Sequence, residues 1–270
     1  MSTRARGKCA GGRTSLICLA VALWRVFATA EDAGAASACD PIPVAAGSAA
    51  SVSDGRTFVL DDGREVRLAG IEIPAAEGFA ARAKERLHML VAGEAVMLRG
   101  METDRYGRVV AHVFRSGSPE RWIQAELVAA GDARVATYAG DRACAAELLR
   151  RERTARAAGR GLWSDPSQKP LQAEDPAALA AVRGQFAIVE GKVLSVRESG
   201  GTIYVNFGRR WSEDFTVTIA KRNERAFAAA GLEPKALSGR RIRVRGWIEE
   251  RGGPWIDVVR PEQIELTERN

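Results

Sequence analysis

Two arginines, Arg67 and Arg108, have the side chains and the local sequence that suit an anion-binding site. Arg67 lies in a stretch of alternating polar and apolar residues, and Arg108 ends the turn Asp-Arg-Tyr-Gly-Arg at residues 104–108. The planar guanidinium group can donate to two phosphate oxygens at once. We therefore expect both arginines to hold a phosphate, although the residues alone also allow surface ion pairs with Glu72 or Asp104.

The elements that would position these arginines follow from the pattern around them. Residues 56–60 and 65–71 form two strand patterns on either side of an Asp-Gly turn, which predicts a β-hairpin carrying Arg67. The other predicted elements, in chain order, are a helix over 76–91, strands over 95–99 and 109–114, and helices over 123–130 and 142–158. Arg108 therefore lies at the end of the turn between two strands.

The order of these motifs resembles the staphylococcal-nuclease-like (thermonuclease) family over about residues 50–165. The matching motifs are Asp-Gly-x-Thr, Arg-Leu-x-Gly-Ile-x-x-Pro, Asp-x-Tyr-Gly-Arg and a final long helix followed by Gly-Leu-Trp-Ser. The resemblance implies a five-stranded OB barrel with helices, and active members of the family use calcium to cleave phosphodiester bonds in DNA and RNA. We therefore expect a mainly β chain with helices, of the α+β class.

The resemblance also implies roles for residues that match its motifs. Arg67 and Arg108 match the arginines that grip the phosphate and stabilise the transition state, so they are the expected catalytic pair. Asp54 matches the first acid of the family's Asp-Gly-Asp-Thr motif, an acid near the metal but not its main ligand, and Thr57 matches the threonine.

Three positions depart from the family pattern. Arg56 stands where the family has a calcium-binding aspartate, Glu72 stands at the other ligand aspartate, and Ala75 replaces the glutamate that acts on water. Arg56 is expected to pair with Glu72, to occupy the space that a metal ion would need, and to join the phosphate-binding arginines. The alternative is that Arg56 is a solvated turn residue. Calcium prefers several oxygen ligands, so a site with Glu72 as its remaining carboxylate is a weak one.

The first 38 residues have the pattern of an export signal. A basic start precedes the apolar run at residues 16–23, and small residues near positions 30 and 38 offer cleavage sites. The pattern predicts a signal peptide and an exported protein, periplasmic or secreted. A basic tail is the alternative.

The chain that remains after such a cleavage has two cysteines and little net charge. Cys39 and Cys144 are expected to form a disulfide in an oxidising compartment, with two free thiols as the alternative. The first thirty residues hold five basic and no acidic side chains, so their removal lowers the net charge from +6 to +1. The high isoelectric point therefore does not by itself indicate a nucleic-acid-binding surface.

A second domain is expected after a polar linker. The family-like domain is predicted over 44–165, the proline-containing linker over 166–184 and the second domain over 185–268. About five strand patterns with a short helix between the third and fourth favour a small OB-like barrel, and a β-sandwich fragment is the alternative.

Aromatic and basic residues in the second domain allow two interpretations. Alternating arginines at 241, 243 and 245 suit either a groove for single-stranded nucleic acid or the solvent face of an edge strand. The other residues considered for such a groove are Tyr204, Phe207, Trp211, Trp247, Trp255, Arg209 and Arg210.

Three functions are compatible with these patterns. The first is an exported thermonuclease-family protein that binds nucleic acid or another polyanion, with calcium-dependent hydrolysis impaired. The second is an active calcium-dependent phosphodiesterase with an altered site, and the third is a non-catalytic exported interaction protein. Arg56 and Ala75 favour the first, because they replace a metal ligand and a base.

Overall fold

The computed structural model describes residues 39–136, 142–210 and 212–267. These residues belong to one compact unit of the chain. The predicted signal peptide lies outside the described residues. Within the described residues, no helix has the length and the apolar character needed to cross a membrane.

The first part of the chain forms a closed barrel. Its elements are, in chain order, β1 (Pro43–Asp54), β2 (Thr57–Leu60), β3 (Glu65–Leu68), β4 (Ile71–Glu72), α1 (Glu77–Val91), β5 (Ala95–Thr103), β6 (Val109–Arg115), β7 (Arg121–Trp122), α2 (Ile123–Ala130), β8 (Arg134–Val135) and α3 (Arg142–Ala157). β1 pairs with β2 and β5, β2 pairs with β3, and β5 pairs with β6. A parallel pairing of β3 with β6 closes the ring of five strands. This arrangement confirms the predicted α+β class and the OB-type barrel.

The long strand β1 was not indicated by the sequence pattern. Its sequence is rich in alanine, serine and glycine, which have little intrinsic preference for strands. It forms because β2 and β5 offer backbone partners on both of its edges. Ala49 at its middle is buried in the barrel core.

The end of α2 fits closely against the chain that follows α3. Gly131 ends α2 in the left-handed conformation, at φ 73°. A Cβ on Gly131 would lie 2.2 Å from the carbonyl oxygen of Arg160, and a Cβ on Gly161 would lie 2.3 Å from the carbonyl oxygen of Gly131. Both glycines are therefore required by the close approach of the two backbones, as well as by their positive φ.

The second part of the chain contains two sheets. Its elements are β9 (Leu171–Gln172), α4 (Pro176–Ala181), β10 (Phe186–Lys192), β11 (Ser195–Ser199), β12 (Thr202–Asn206), β13 (Thr216–Ala220), α5 (Glu224–Ala229), β14 (Arg241–Trp247), β15 (Glu249–Arg251), β16 (Gly253–Val258) and β17 (Ile264–Leu266). Among the described residues, the strand order is β17-β14-β10-β9 in one sheet and β11-β12-β13-β16-β15 in the other. The chain thus carries an additional β domain, but the pairing does not confirm a second OB-like barrel.

Each part has its own core, and a third cluster lies between them. The first core includes Phe58 and Leu98, and the second includes Val189 and Phe215. The third cluster joins the end of α3 and the turn at residues 161–164 to β10. Apolar packing therefore connects the barrel to the two sheets.

The segment predicted as a linker is built into the second part. β9 pairs in parallel with β10, and Leu179 of α4 is fully buried in the second core. Asp175 caps α4 by accepting a hydrogen bond from the backbone N–H of Ala178 at 3.0 Å. The polar, proline-containing sequence therefore encodes capped turns that pack against the sheets.

A disulfide joins Cys39 to Cys144, which ties the start of the described chain to α3. Both cysteines are fully buried. His112 lies beside them, so that potential ligand atoms of the three residues lie within 4.8 Å of one another. Because metals bind the thiolate, the oxidised cysteines cannot serve as ligands, and this cluster is not a metal site.

Candidate anion-binding site

The barrel brings the sequence-predicted residues Arg56, Arg67, Glu72 and Arg108 together. Thr57, which follows Arg56, pairs with Arg67 across β2 and β3. The parallel pairing of β3 with β6 places Arg67 near the start of β6, and Arg108 immediately precedes this strand. Glu72 follows on β4, four residues after the end of β3. We call these four residues the arginine site.

Arg56 forms an ion pair with Glu72 at the centre of the site. Its Nη1 donates to Oε2 of Glu72, and both side chains are largely buried. The same Oε2 lies 4.0 Å from Nη2 of Arg67. The backbone N–H of Arg56 donates to Oδ1 of Asp54 at 2.8 Å, which fixes the turn that carries Arg56. One carboxylate oxygen is thus shared between two guanidinium groups.

The acidic groups of the site do not fully balance the positive charge around Arg67. Burial lowers the pKa of Arg67, and the nearby charges of Arg56 and Arg108 lower it further, against the opposing effect of Glu72. Burial raises the pKa of Glu72 despite the attraction of Arg56 and Arg67. A bound anion would relieve the repulsion that Arg67 experiences, because it would add to the negative charge that Glu72 and Asp54 supply.

Arg108 is held by its own turn. Its Nε and Nη2 lie 2.9 Å and 2.8 Å from Oδ2 of Asp104, and its guanidinium carbon lies 5.1 Å from the centre of the Tyr106 ring. The predicted ion pair with Asp104 is therefore present. Within the described residues, no side chain or carbonyl accepts a hydrogen bond from Nη1 of Arg108, so this group can still donate to a ligand.

The donors of the site do not fit a calcium ion. Calcium takes about six to eight oxygen ligands. Arg56 supplies a positively charged guanidinium group instead of a ligand oxygen, and the carboxylate of Glu72 is already paired with that group. Ala75, on the exposed loop before α1, has no oxygen on its side chain.

A cleft of about 270 Å³ lies next to the site, and the second part of the chain supplies one of its walls. Glu72 and Ala75 line one side, and Phe186 and Trp247 line the other. Arg134, which the sequence pattern did not single out, pairs with Glu72 across β4 and β8 and donates to the carbonyl of Phe186 at 3.2 Å. The additional β domain therefore borders the loop that carries Ala75.

Arg245, one of the alternating arginines of β14, lies neither in a nucleic-acid groove nor on a solvent face. Arg245 is 1% exposed, and its Nη1 donates to the carbonyl of Val135 at 2.9 Å and lies 2.8 Å from Oε2 of Glu152. Its Nη2 donates to Oε1 of Glu265. We call Arg245, Glu152 and Glu265 the ionic joint, because they connect α3 to β14 and β17. Neither sequence-based interpretation holds for this residue.

The outer arginines of β14 are also paired within the protein. Arg241 and Arg243 both form ion pairs with Glu190 of the neighbouring strand β10. The alternation of β14 indicated correctly that one face of the strand is polar. It could not indicate that α3 packs against that face, since Glu152 is more than ninety residues earlier in the chain.

The aromatic residues considered for a groove lie in several places. Phe207 is buried in the second core, Trp247 lines the cleft, and Tyr204 and Trp255 share a sheet surface. Trp211 lies outside the described residues. The aromatic residues therefore do not form one continuous groove with the β14 arginines.

A closed OB-type barrel with an arginine cluster at one end is the architecture of a nuclease-type domain. The family model described as "Staphylococcal nuclease homologue" matches residues 65–165. The chain is similar to "Protein ParB" of Escherichia coli, with 36% identity over 130 residues that cover 44% of this chain and 73% of that protein. It is also similar to "Micrococcal nuclease" of Shigella flexneri, with 33% identity over 135 residues that cover 46% and 77%. The chain therefore belongs to the staphylococcal nuclease homologue family.

Proposed function

We propose that this protein binds the phosphodiester backbone of nucleic acid through Arg67, Arg108 and Arg56, and that it has lost most or all calcium-dependent hydrolysis. The observation that carries the proposal is the ion pair of Arg56 with Glu72 beside Arg67. It places a guanidinium group where the family pattern has a metal ligand, and it keeps the cluster positive.

The physical argument against hydrolysis concerns the metal and the base. A divalent cation neutralises the phosphate and lowers the pKa of bound water, whereas Arg56 carries one charge and cannot activate water in this way. Ala75 cannot take a proton from water. Loss of a general base alone costs roughly 10²–10⁴-fold in rate, and loss of the metal ligand adds to that cost.

The argument for binding concerns the arginines that remain. Arg67 and Arg108 lie close enough for their charges to interact, and the lowered pKa of Arg67 reflects burial and the neighbouring positive charges. A phosphate diester would supply the missing negative charge and accept charge-assisted hydrogen bonds. The name of the micrococcal nuclease relative suggests that the anion is part of a nucleic acid.

Export and domain organisation complete the proposal. The pattern of residues 1–38 supports a signal peptide, and the buried disulfide is compatible with an oxidising compartment. We place the nuclease-like domain at 44–165, the connecting segment at 166–184 and the additional β domain at 185–268. The mature protein would therefore be periplasmic or secreted.

The test measures binding and cleavage of fluorescent single-stranded DNA and RNA, with calcium and with chelator. We expect salt-sensitive binding without cleavage, and weaker binding for Arg67→Ala. Arg64→Ala is the matched control, because it removes an arginine from the exposed β2–β3 turn. Calcium-dependent cleavage that Arg67→Ala abolishes would instead support an active phosphodiesterase, and the absence of binding at low salt would support an interaction protein.

A gain-of-function variant tests the reason for the loss. Arg56→Asp combined with Ala75→Glu restores carboxylates at the two departing positions. We expect the double variant to show calcium-dependent cleavage that the parent lacks. If it binds calcium but still does not cleave, residues 56 and 75 do not account for the missing activity.

A further inference from the structure

The outer surface of the five-stranded sheet carries a row of polar and aromatic side chains. The pairings place Arg197 opposite Tyr204, and Tyr204 opposite Thr218. In the next row, Asn206 lies opposite Thr216, and Thr216 lies opposite Trp255. Because residues in register point to the same side of a sheet, these side chains share one face. We call this surface the β12–β16 face.

Tyr204 and Trp255 stand at the centre of the β12–β16 face. Their ring centres are 6.0 Å apart, with the ring planes at 82°. Both side chains line two depressions, one of about 730 Å³ and one of about 380 Å³. The two rings therefore form a ridge with open space on both sides, each large enough for a planar base.

Arginines flank both depressions. Arg197 and Arg209 line the larger one, and Arg222 lines the smaller one. All three are exposed, and within the described residues none of them forms an ion pair. Their charges are consequently available to an anionic ligand, in contrast to the arginines of β14.

Two acidic residues on this face, Asp257 and Glu249, are already engaged. Glu249 lies opposite Trp255, and its Oε2 lies 3.0 Å from Nη2 of Arg251. Asp257 accepts hydrogen bonds from the hydroxyl of Thr218 and from Nε1 of Trp255, the latter at 2.9 Å. Its other oxygen lies 3.0 Å from Nη2 of Arg251. Burial alone would raise the pKa of Asp257, but these hydrogen bonds and the charge of Arg251 lower it. Asp257 thus holds Trp255 in place, and Arg251 offsets part of the charge of Asp257 and Glu249.

We propose that the β12–β16 face is a second binding site, which takes single-stranded nucleic acid. Unpaired bases stack on Tyr204 and Trp255, and Arg197, Arg209 and Arg222 contact the phosphates. The small polar side chains of Asn206 and Thr216 line the larger depression together with the two rings, where they can hydrogen-bond base edges.

A duplex is excluded as the main ligand because its bases are stacked on each other and cannot reach the rings. This inference depends on the proposed function only in taking nucleic acid as the ligand, since the residues of the two sites are different.

The experiment separates the two sites. The protein with Arg67→Ala and Arg108→Ala is titrated with labelled 15-residue oligo(dT) and oligo(U), and with a DNA duplex of the same length. We expect both single strands to bind this variant more tightly than the duplex. Addition of Trp255→Ala or Tyr204→Ala should weaken binding roughly tenfold or more, the effect of removing one stacked base.

Matched controls exist on the other sheet. Leu266→Ala removes an exposed apolar side chain from β17, and Lys192→Ala removes an exposed positive charge from β10. Neither should change the affinity of the arginine-deficient variant more than about twofold. Arg197→Ala should reduce the slope of log affinity against log salt by about 0.7, the value for one phosphate of a single strand. Trp255→Phe retains an aromatic ring and should restore most of the affinity if Trp255→Ala is poorly folded.

Each result decides between the sites. If the arginine-deficient variant does not bind a single strand, or if the changes at positions 204 and 255 leave its affinity unchanged, the β12–β16 face is not a binding site and the proposed function stands. If the Arg67 and Arg108 changes have no effect in the intact protein but Trp255→Ala abolishes binding, the second site stands and the proposed role of the arginine site fails. Equal affinity for the duplex contradicts the single-strand specificity.

Discussion

The arginine site and the ionic joint are built from the same residue types, but the pKa values of their groups shift in opposite directions. In the joint, burial alone would lower the pKa of Arg245, yet the charges of Glu152 and Glu265 raise it. Burial would likewise raise the pKa of Glu265, but Arg245, Arg156 and Arg243 lower it. In the arginine site, the pKa of Arg67 is lowered and that of Glu72 is raised.

The difference lies in how completely the charges are compensated. Two glutamates and a carbonyl surround Arg245. At Arg67, the repulsion from Arg56 and Arg108 outweighs the attraction of Glu72 and Asp54, since Glu72 is shared with Arg56. Compensated charges of opposite sign stabilise the contact between two parts of a fold. An excess of one sign favours an external ligand of the other sign. The charge distribution of the ionic joint therefore suits a structural contact, whereas that of the arginine site supports the proposed anion binding.

The largest expected effect is the loss of Arg245. Arg245→Ala removes the fully buried partner of Glu152 and Glu265 and leaves them with Arg156, which lies 3.4 Å from each, so we expect the free energy of unfolding to fall by about 3 kcal/mol. Urea titration followed by far-UV circular dichroism measures this change. If the variant does not fold, Arg245→Lys should recover part of the stability, because it keeps a positive charge beside Glu152 and Glu265. A loss below about 1 kcal/mol for Arg245→Ala would contradict the structural role of the joint.

The second effect concerns binding rather than stability. Arg67→Ala removes a charged donor to phosphate, and we expect about a 10- to 100-fold loss of affinity for single-stranded DNA at low salt. The free energy of unfolding should stay the same or rise slightly, because the repulsion from Arg56 and Arg108 disappears. Fluorescence anisotropy and urea titration of the same sample measure both quantities. A variant that loses stability but keeps its affinity would make Arg67 structural.

The third effect is that Glu265 and Glu72 change the pH dependence of stability in opposite directions. Glu265 has a lowered pKa, so its contribution to stability is present above the ordinary glutamate value of 4.5 and is lost as the pH falls through the lower folded value. Glu72 has a raised pKa, so its folded form binds the proton more tightly and stability falls as the pH rises from 4.5 through the higher folded value.

Glu265→Gln should therefore flatten the acid part of the stability profile, whereas Glu72→Gln should make it steeper. Unfolding free energies measured between pH 3 and pH 7 distinguish the two cases. Profiles that change in the same direction would contradict the contrast between the clusters.

The smallest effect is expected at the outer end of β14. The side chain of Arg241 is 37% exposed, and its Nε lies 3.4 Å from Oε1 of Glu190. Arg241→Ala should lower the free energy of unfolding by at most about 1 kcal/mol, as for other exposed ion pairs. Arg243→Ala should fall between Arg241→Ala and Arg245→Ala. Equal effects along the strand would show that burial does not determine the contribution of these arginines.

The sequence predicts the local elements of the barrel well. The helix predicted over 123–130 has those bounds in the structure, and Gly131 ends it as expected. Alternation, turn residues and glycine stops are local signals, so they locate such elements from a single sequence. The motifs also predicted Arg56, Arg67 and Glu72 as site residues, because the spacing of a hairpin determines which residues lie close together.

Features that depend on distant partners could not be predicted. β1 forms because of its neighbours, and Arg245 is buried because α3 packs against a strand about ninety residues later in the chain. The pairing of the second part into two sheets likewise depends on long-range register. Alternating polar residues show that one face of a strand contacts either water or buried charged groups. They do not show which of the two it contacts.

The disulfide between Cys39 and Cys144 has a consequence for proteolysis. It closes a covalent ring that contains every strand of the barrel, while Glu152 on the same helix is tied to the additional β domain. A single cut at an exposed turn inside this ring, such as the one at residues 104–108, produces two polypeptides that remain bonded to each other. A nicked molecule should therefore migrate as one band on a non-reducing gel and as two bands after reduction.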